Sequence, residues 1–150
     1  MNRSGRHVEC VDEVYTSAAL ASVLRQAHHV VLCVPLTRKT SGLFGEPEFR
    51  AMRQDAFIYN FGRGATIDHD ALMNALAAGE IAGAGLDATE PEPLPMDSPL
   101  RSLPNVLITE HTSGSSPRNA DRITEIFAGN LRRFLSGEPL RCEVDPSRGY

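Results

Sequence analysis

Three short polar segments, each directly after an apolar run, carry residue types that could work together. They are Arg63 in Asn60-Phe61-Gly62-Arg63-Gly64, Glu92 in Asp87-Ala88-Thr89-Glu90-Pro91-Glu92-Pro93, and His111 in Thr109-Glu110-His111. An arginine clamps a carboxylate through two parallel hydrogen bonds. A histidine passes a proton on and off near neutral pH, and a nearby glutamate favours its charged form. If the apolar runs are parallel strands, all three side chains emerge at one sheet edge, where open α/β folds hold their ligands. That combination fits an enzyme that reduces or oxidises a small carboxylic acid. Taken singly, Arg63 reads as a surface charge, His111 as a strand-end histidine and Glu92 as a solvated loop residue; only the joint pattern points to chemistry.

The runs that must position them are Val30-Val31-Leu32-Cys33-Val34, Ala56-Phe57-Ile58-Tyr59-Asn60, Ala82-Gly83-Ala84-Gly85-Leu86 and Val106-Leu107-Ile108-Thr109. Short, unbroken apolar runs suit strands buried on both faces. Helical stripes lie between and after them. Leu20, Val23, Leu24 and Ala27 form one, with Thr16 or Ser17 as N-cap. Ala71, Leu72, Ala75 and Leu76 form another, capped by Asp68 and closed by Gly79. Ile123, Ile126, Phe127, Leu131 and Phe134 form a longer one, from near Ser116-Pro117 to Gly137. The alternation predicts a parallel sheet with right-handed crossovers. The segment 89–104 holds five prolines and no periodicity, so it reads as a true loop. His28 and His29 are expected to end a helix, His69 to be exposed, and Cys33 to be a buried small hydrophobe.

Composition narrows the function class. The 150 residues are 41 % apolar and 23 % charged, with net charge −4, enough for one domain with a proper core. The acidic pI of about 5.7 argues against nucleic acid as a partner. No apolar stretch approaches the roughly 20 residues of a membrane span, and no secretory signal opens the chain. Cys10, Cys33 and Cys142 are an odd, widely spaced set that fits neither a disulfide framework nor a metal site. A cytoplasmic setting is expected.

Read in order, Val31-Leu32-Cys33-Val34-Pro35-Leu36-Thr37, Asn60-Phe61-Gly62-Arg63-Gly64, Gly85-Leu86-Asp87, Glu90-Pro91-Glu92-Pro93-Leu94-Pro95 and Ile108-Thr109-Glu110-His111 resemble the C-terminal half of the D-isomer-specific 2-hydroxyacid dehydrogenases. The likeness is to those of the glyoxylate and hydroxypyruvate reductase kind. The closing Val144-Asp145-Pro146-Ser147-Arg148-Gly149-Tyr150 is similar to a family ending. The resemblance implies that Arg63 holds the substrate carboxylate and carbonyl, that His111 is the acid–base, and that Glu92 is its partner. It implies further that Asp87 lies near the nicotinamide ring, that Phe61, Gly62 and Gly114 line the cofactor, and that Pro35 and Thr40 meet its adenosine side. Arg3 stands where a basic residue suits the 2′-phosphate of NADP, so the cofactor is NADP or NAD. The substrate implied is a small 2-oxo acid, and the family's usual assembly is a homodimer.

Glu110 stands where the family usually has proline, and Asp87-Ala88-Thr89 replaces the usual Asp-Val-Phe. Arg3-Ser4 resembles the end of the second strand, so residues 1–150 read as a truncated dinucleotide-binding domain. The expected fold is α/β, a partial Rossmann-type doubly wound parallel sheet lacking the first strand and its glycine-rich turn, with the substrate domain absent. The run at Val30 should then present an apolar edge, and weak cofactor binding with little or no turnover is expected of the chain by itself. Two other readings share these residues: a dinucleotide-sensing, corepressor-like binding module, and a non-functional gene fragment.

Overall fold

The computed structural model describes residues 1–2 and 4–147; Arg3 and residues 148–150 lie outside the described residues. Four strands, β1 (His29–Leu32), β2 (Phe57–Asn60), β3 (Gly83–Leu86) and β4 (Val106–Ile108), form one sheet in the order β1-β2-β3-β4. Every pair is parallel. The register aligns Leu32 with Asn60, Asn60 with Leu86 and Leu86 with Ile108. The last residue of each strand therefore falls in one row, and the segments beginning at positions 33, 61, 87 and 109 leave the sheet side by side. The apolar runs of β1 and β4 continue past the strand, through Cys33-Val34 and Thr109, into the loops that build the site, whereas those of β2 and β3 begin one residue before it and end with it.

Four helices accompany the sheet: α1 (Leu20–Leu24), α2 (Glu46–Ala51), α3 (His69–Ala77) and α4 (Asn119–Leu135). The Asp68 carboxylate caps α3 by accepting from the backbone N–H groups of Asp70 and Ala71 at 3.0 and 3.1 Å. Gly79, at φ 68°, takes the left-handed turn beyond it. Helix α2 has only one deeply buried anchor, Phe49, so apolar periodicity could not reveal it. Its local signals are Pro47 in the first turn and Glu48, whose carboxylate accepts from the Gly45 N–H at 3.1 Å. Thr16 makes no side-chain cap; residues Ser17–Ala19 form a 3-10 turn leading into α1. Another 3-10 turn, Pro99–Ser102, interrupts the expected loop and buries Leu100.

The core lies on one face of the sheet, where Ile58 and Leu86 meet Leu24, Phe44, Phe49, Leu72 and Ile81. Full burial of each such side chain contributes about 1.5–3 kcal/mol. The opposite face is open. Val31 on β1 is 55 % exposed and Leu107 on β4 is 69 % exposed. Helix α4 keeps its expected length and ends before Gly137, yet none of its residues is buried, and Phe127 is 68 % exposed. Its apolar stripe is not core packing among the described residues. The accessible surface, 10516 Å², exceeds the roughly 7,500 Å² of a closed monomer of this mass.

Other expectations change with the fold. Helix α1 stops at Leu24, so His28 and His29 do not end a helix. His28 Nε2 lies 3.7 Å from Asp55, whereas His29 opens β1 with Nδ1 3.0 Å from the Tyr59 hydroxyl. Cys33 is exposed rather than buried, because β1 is an edge strand and the chain turns outward after Leu32. His69 is half-buried, not exposed.

Candidate active site

Asn60, the last residue of β2, is buried and polar, which requires that its carboxamide be satisfied. Its Oδ1 accepts from the Gly62 N–H at 3.0 Å and its Nδ2 donates to the Arg63 carbonyl at 3.0 Å. The Thr66 hydroxyl donates to the same carbonyl at 2.7 Å. These bonds close a tight turn that presents the Arg63 side chain outward. Nη1 of Arg63 donates to its neighbour's carbonyl, at Gly62, at 2.9 Å. Close backbone approach makes Gly62 necessary: a Cβ there would sit 2.8 Å from the Val34 carbonyl oxygen.

The ends of β1 and β2 frame an open cleft of about 520 Å³ lined by Cys33, Val34, Pro35, Leu36, Phe61, Gly62 and Arg63. Pro35, Phe61, Gly62 and Arg63 from the sequence set thus share one wall. Thr40 and Gly114 do not line this cleft. The Thr40 hydroxyl is engaged in its own turn, donating to the Pro35 carbonyl at 2.6 Å and accepting from the Thr37 N–H at 2.8 Å. Gly114 is exposed in the loop before α4, and its carbonyl accepts from Asn119 at 2.9 Å. Arg3 lies outside the described residues.

At the ends of β3 and β4, Glu92 Oε1 and His111 Nδ1 are 2.6 Å apart. Nδ1–H donates to the carboxylate, which orients the ring; Nε2 has no protein partner among the described residues. His111 adopts a left-handed backbone, φ 53°, costing roughly 1 kcal/mol for a residue with a Cβ. Such strain persists where the surroundings over-determine it, and here they centre on Asp87. The buried Asp87 carboxylate accepts from the Thr109 hydroxyl at 2.6 Å, the Thr112 N–H at 2.9 Å, the Ser113 N–H at 3.1 Å and the Ser113 hydroxyl. Burial pushes its carboxyl up, but the Ser113, Thr109 and Thr112 bonds outweigh burial and hold it at about 2. Asp87 is therefore an anionic clamp on both sides of His111.

The turn at Arg63 and the loop at Glu92 touch through backbone. A Cβ on Gly64 would overlap the Thr89 carbonyl and lie 2.5 Å from the Glu90 nitrogen. The Asp87 N–H also donates to the Asn60 carbonyl at 3.0 Å. Arg63, Glu92 and His111 consequently stand on one continuous hydrogen-bonded scaffold along the strand-end row. The supporting groups Asn60, Thr109, Thr112 and Ser113 carried no individual signal in the sequence. Among the described residues, no group of three or more His, Cys, Asp or Glu could hold a metal, and no helix is long and apolar enough to cross a membrane.

Comparison with known proteins agrees with this architecture. The chain is 42 % identical over 119 residues to a glyoxylate reductase of Korarchaeum cryptofilum, covering 79 % of this chain and 36 % of that protein. A D-isomer specific 2-hydroxyacid dehydrogenase of Xanthobacter autotrophicus, crystallised with NADPH and MES, superposes with a TM-score of 0.90 at 39 % identity, covering 99 % of this chain and 61 % of that one. An NADPH-dependent glyoxylate/hydroxypyruvate reductase of Sinorhizobium meliloti, crystallised with NADP and sulfate, superposes at 0.91 with 32 % identity, covering 99 % and 48 %. The chain spans between about a third and a half of the length of the curated relatives it matches. Residues 1–113 match the NAD binding domain of the D-isomer specific 2-hydroxyacid dehydrogenases, and the chain belongs to that family.

Proposed function

We propose that this domain serves hydride transfer between a nicotinamide cofactor, NADP or NAD, and a small 2-oxo or 2-hydroxy acid. The observation that carries the reading is the Glu92–His111 contact of 2.6 Å, standing in the same strand-end row as the Arg63 turn. The cleft suits a flat, anionic dinucleotide: its floor at Gly62 is bare backbone, its wall holds Pro35 and the exposed ring of Phe61, and Arg63 supplies a cation. When bound, the nicotinamide supplies or accepts the hydride.

The chain's own residues do the rest. Arg63 binds the substrate carboxylate and carbonyl, offering fixed positive charge where the oxygen becomes anionic. His111 gives a proton to that oxygen in reduction and removes it in oxidation, while Glu92 keeps the ring aimed and fixes which nitrogen carries the proton. Asp87 holds the histidine segment and is a residue that would help to hold the nicotinamide. Pro35 and Thr40 belong to the adenosine side, Phe61 and Gly114 to the cofactor path, and Arg3 to the 2′-phosphate.

The test is titration of ¹⁵N-labelled protein with NADPH and with NADH, followed by addition of glyoxylate and monitoring of nicotinamide absorbance. The reading expects amide shifts at 33–36 and 61–63, tighter binding of NADPH than NADH, and loss of that preference in Arg3→Asp. Absence of any shift at millimolar cofactor would overturn it.

A further inference from the structure

Two apolar faces of this chain are open, and their shapes complement each other. On the sheet, the register sets Val31, Tyr59, Gly85 and Leu107 in one row across the face opposite the core. The glycines of β3 leave a groove in that face. A Cβ on Gly85 would stand 2.9 Å from the Tyr59 ring, and one on Gly83 would stand 3.0 Å from the Phe57 ring, so both rings lean over bare backbone. His29 holds them there: its ring stacks on each with centroids 5.8 Å apart, and Nδ1 lies 3.0 Å from the Tyr59 hydroxyl. The groove, about 610 Å³, runs between this aromatic wall and Pro104 and Leu107. The second face is on α4, where Ile123, Phe127, Leu131 and Phe134 recur at helical spacing and are all exposed. That ridge is about 17 Å long, and the wall from Phe57 to Phe61 is about 13 Å, so one ridge fits one groove.

The chain holds its own ridge off its own groove. Asp87 fixes the Thr112 and Ser113 N–H groups at the end of β4. Beyond them the connection bonds within itself: Ser115 N–H to the Thr112 carbonyl at 2.9 Å, Asn119 N–H to the Ser116 carbonyl at 3.0 Å, and the Asn119 side chain to the Gly114 carbonyl at 2.9 Å. The tail after α4 does not cover the ridge either; Asn130 fastens it alongside, accepting from the Arg141 N–H at 2.8 Å and donating to the Arg141 carbonyl at 3.0 Å. We propose that two copies of this chain exchange α4, each helix laying its Ile123–Phe134 ridge in the glycine-floored groove of the other. A second copy brings ridge and groove in equal number, and a two-fold axis makes the contact twice. The area suffices. The accessible surface exceeds that of a closed monomer by about 3,000 Å². Covering a third of this on each copy buries about 2,000 Å² in total, which reaches the range of permanent homodimers.

The experiment is sedimentation velocity of the 150-residue chain across the micromolar range, with Phe127→Asp on the ridge and Leu107→Glu in the groove. Both side chains are exposed within one chain, so each variant should keep the wild-type circular dichroism. Wild type should sediment at twice the 16.3 kDa chain mass. Each variant by itself should weaken the dimer tenfold or more. An equimolar mixture of the two should recover part of the association, because the intact ridge of Leu107→Glu meets the intact groove of Phe127→Asp. A monomeric wild type overturns the proposal and leaves the groove to another occupant. A dimer weakened by only one of the substitutions also overturns it, since helix-on-helix pairing ignores Leu107 and sheet-on-sheet pairing ignores Phe127. Failure of the mixture to associate better than either variant overturns it as well. None of these readouts needs cofactor or turnover, so they stand apart from the proposed function.

Discussion

Replacing Gly64 by alanine tests the claim that the arginine turn and the glutamate loop are one mechanical unit. The added Cβ would overlap the Thr89 carbonyl and lie 2.5 Å from the Glu90 nitrogen. The Thr89 carbonyl is the nearest, at 2.0 Å; ordinary contact begins near 3.5 Å, so the two backbones must part by about 1.5 Å. No rotamer change can relieve this, because both partners are main chain. Overpacking typically costs about 1–3 kcal/mol, and a backbone-on-backbone clash belongs at the upper end, about 3 kcal/mol. For a chain of this size, each kcal/mol lowers Tm by about 2–4 °C, so the midpoint should fall by about 6–12 °C. Glu92 rides on the displaced loop, and a 1 Å misplacement of a reacting group can cost about 10²-fold in rate. Thermal unfolding followed by far-UV circular dichroism reads the first effect, and the His111 ring ¹⁵N shifts read the second. Gly114→Ala is the control: nothing lies within 4 Å of its Cβ, so its stability should stay within about 0.5 kcal/mol. A Gly64→Ala protein that melts within 2 °C of wild type, with its Glu92–His111 signals unchanged, would refute the reasoning.

Further outcomes follow from the same geometry. Asp87→Asn should release the Ser113 and Thr112 amides to exchange, since the neutral amide cannot accept all the bonds the carboxylate does; unchanged protection at both would argue against the clamp. The folded Asp87 carboxyl sits at about 2, below its ordinary 3.8, so its stabilisation is present above pH 3.8 and lost as pH falls toward 2. Acid unfolding of Asp87→Asn should show a shallower pH dependence in that window. His69, lowered from 6.5 by burial, adds no pH dependence above 6.5; below it the unfolded chain takes up a proton that the native ring resists, so stability falls. His69→Gln should remove that contribution, as measured by urea midpoints between pH 7 and 5. Val31→Lys places a charge on the exposed β1 edge and should reduce self-association in analytical ultracentrifugation without lowering Tm.

Much of this protein was legible in its residues alone. The alternation of apolar runs with helical stripes specified a parallel sheet, because strands covered by crossovers must be apolar throughout and helices must show a period near 3.6. Asp68, Gly79 and Gly137 marked helix ends through local backbone chemistry, which needs no knowledge of distant contacts. The positions of Arg63, Glu92 and His111 after successive strands predicted one shared edge, and the register of the sheet put those strand ends in a single row.

What the tertiary structure decided is how these groups are held. Asp87 reaches residues more than twenty positions away, and Gly64 is set against Thr89; neither pairing has a local signature. Burial was likewise beyond local reading: the apolar stripe of α4 and the thiol of Cys33 looked like core residues and are exposed. Hydrophobic periodicity states what a surface would bury if a partner face were present. Only the arrangement of the other elements determines whether that face is there.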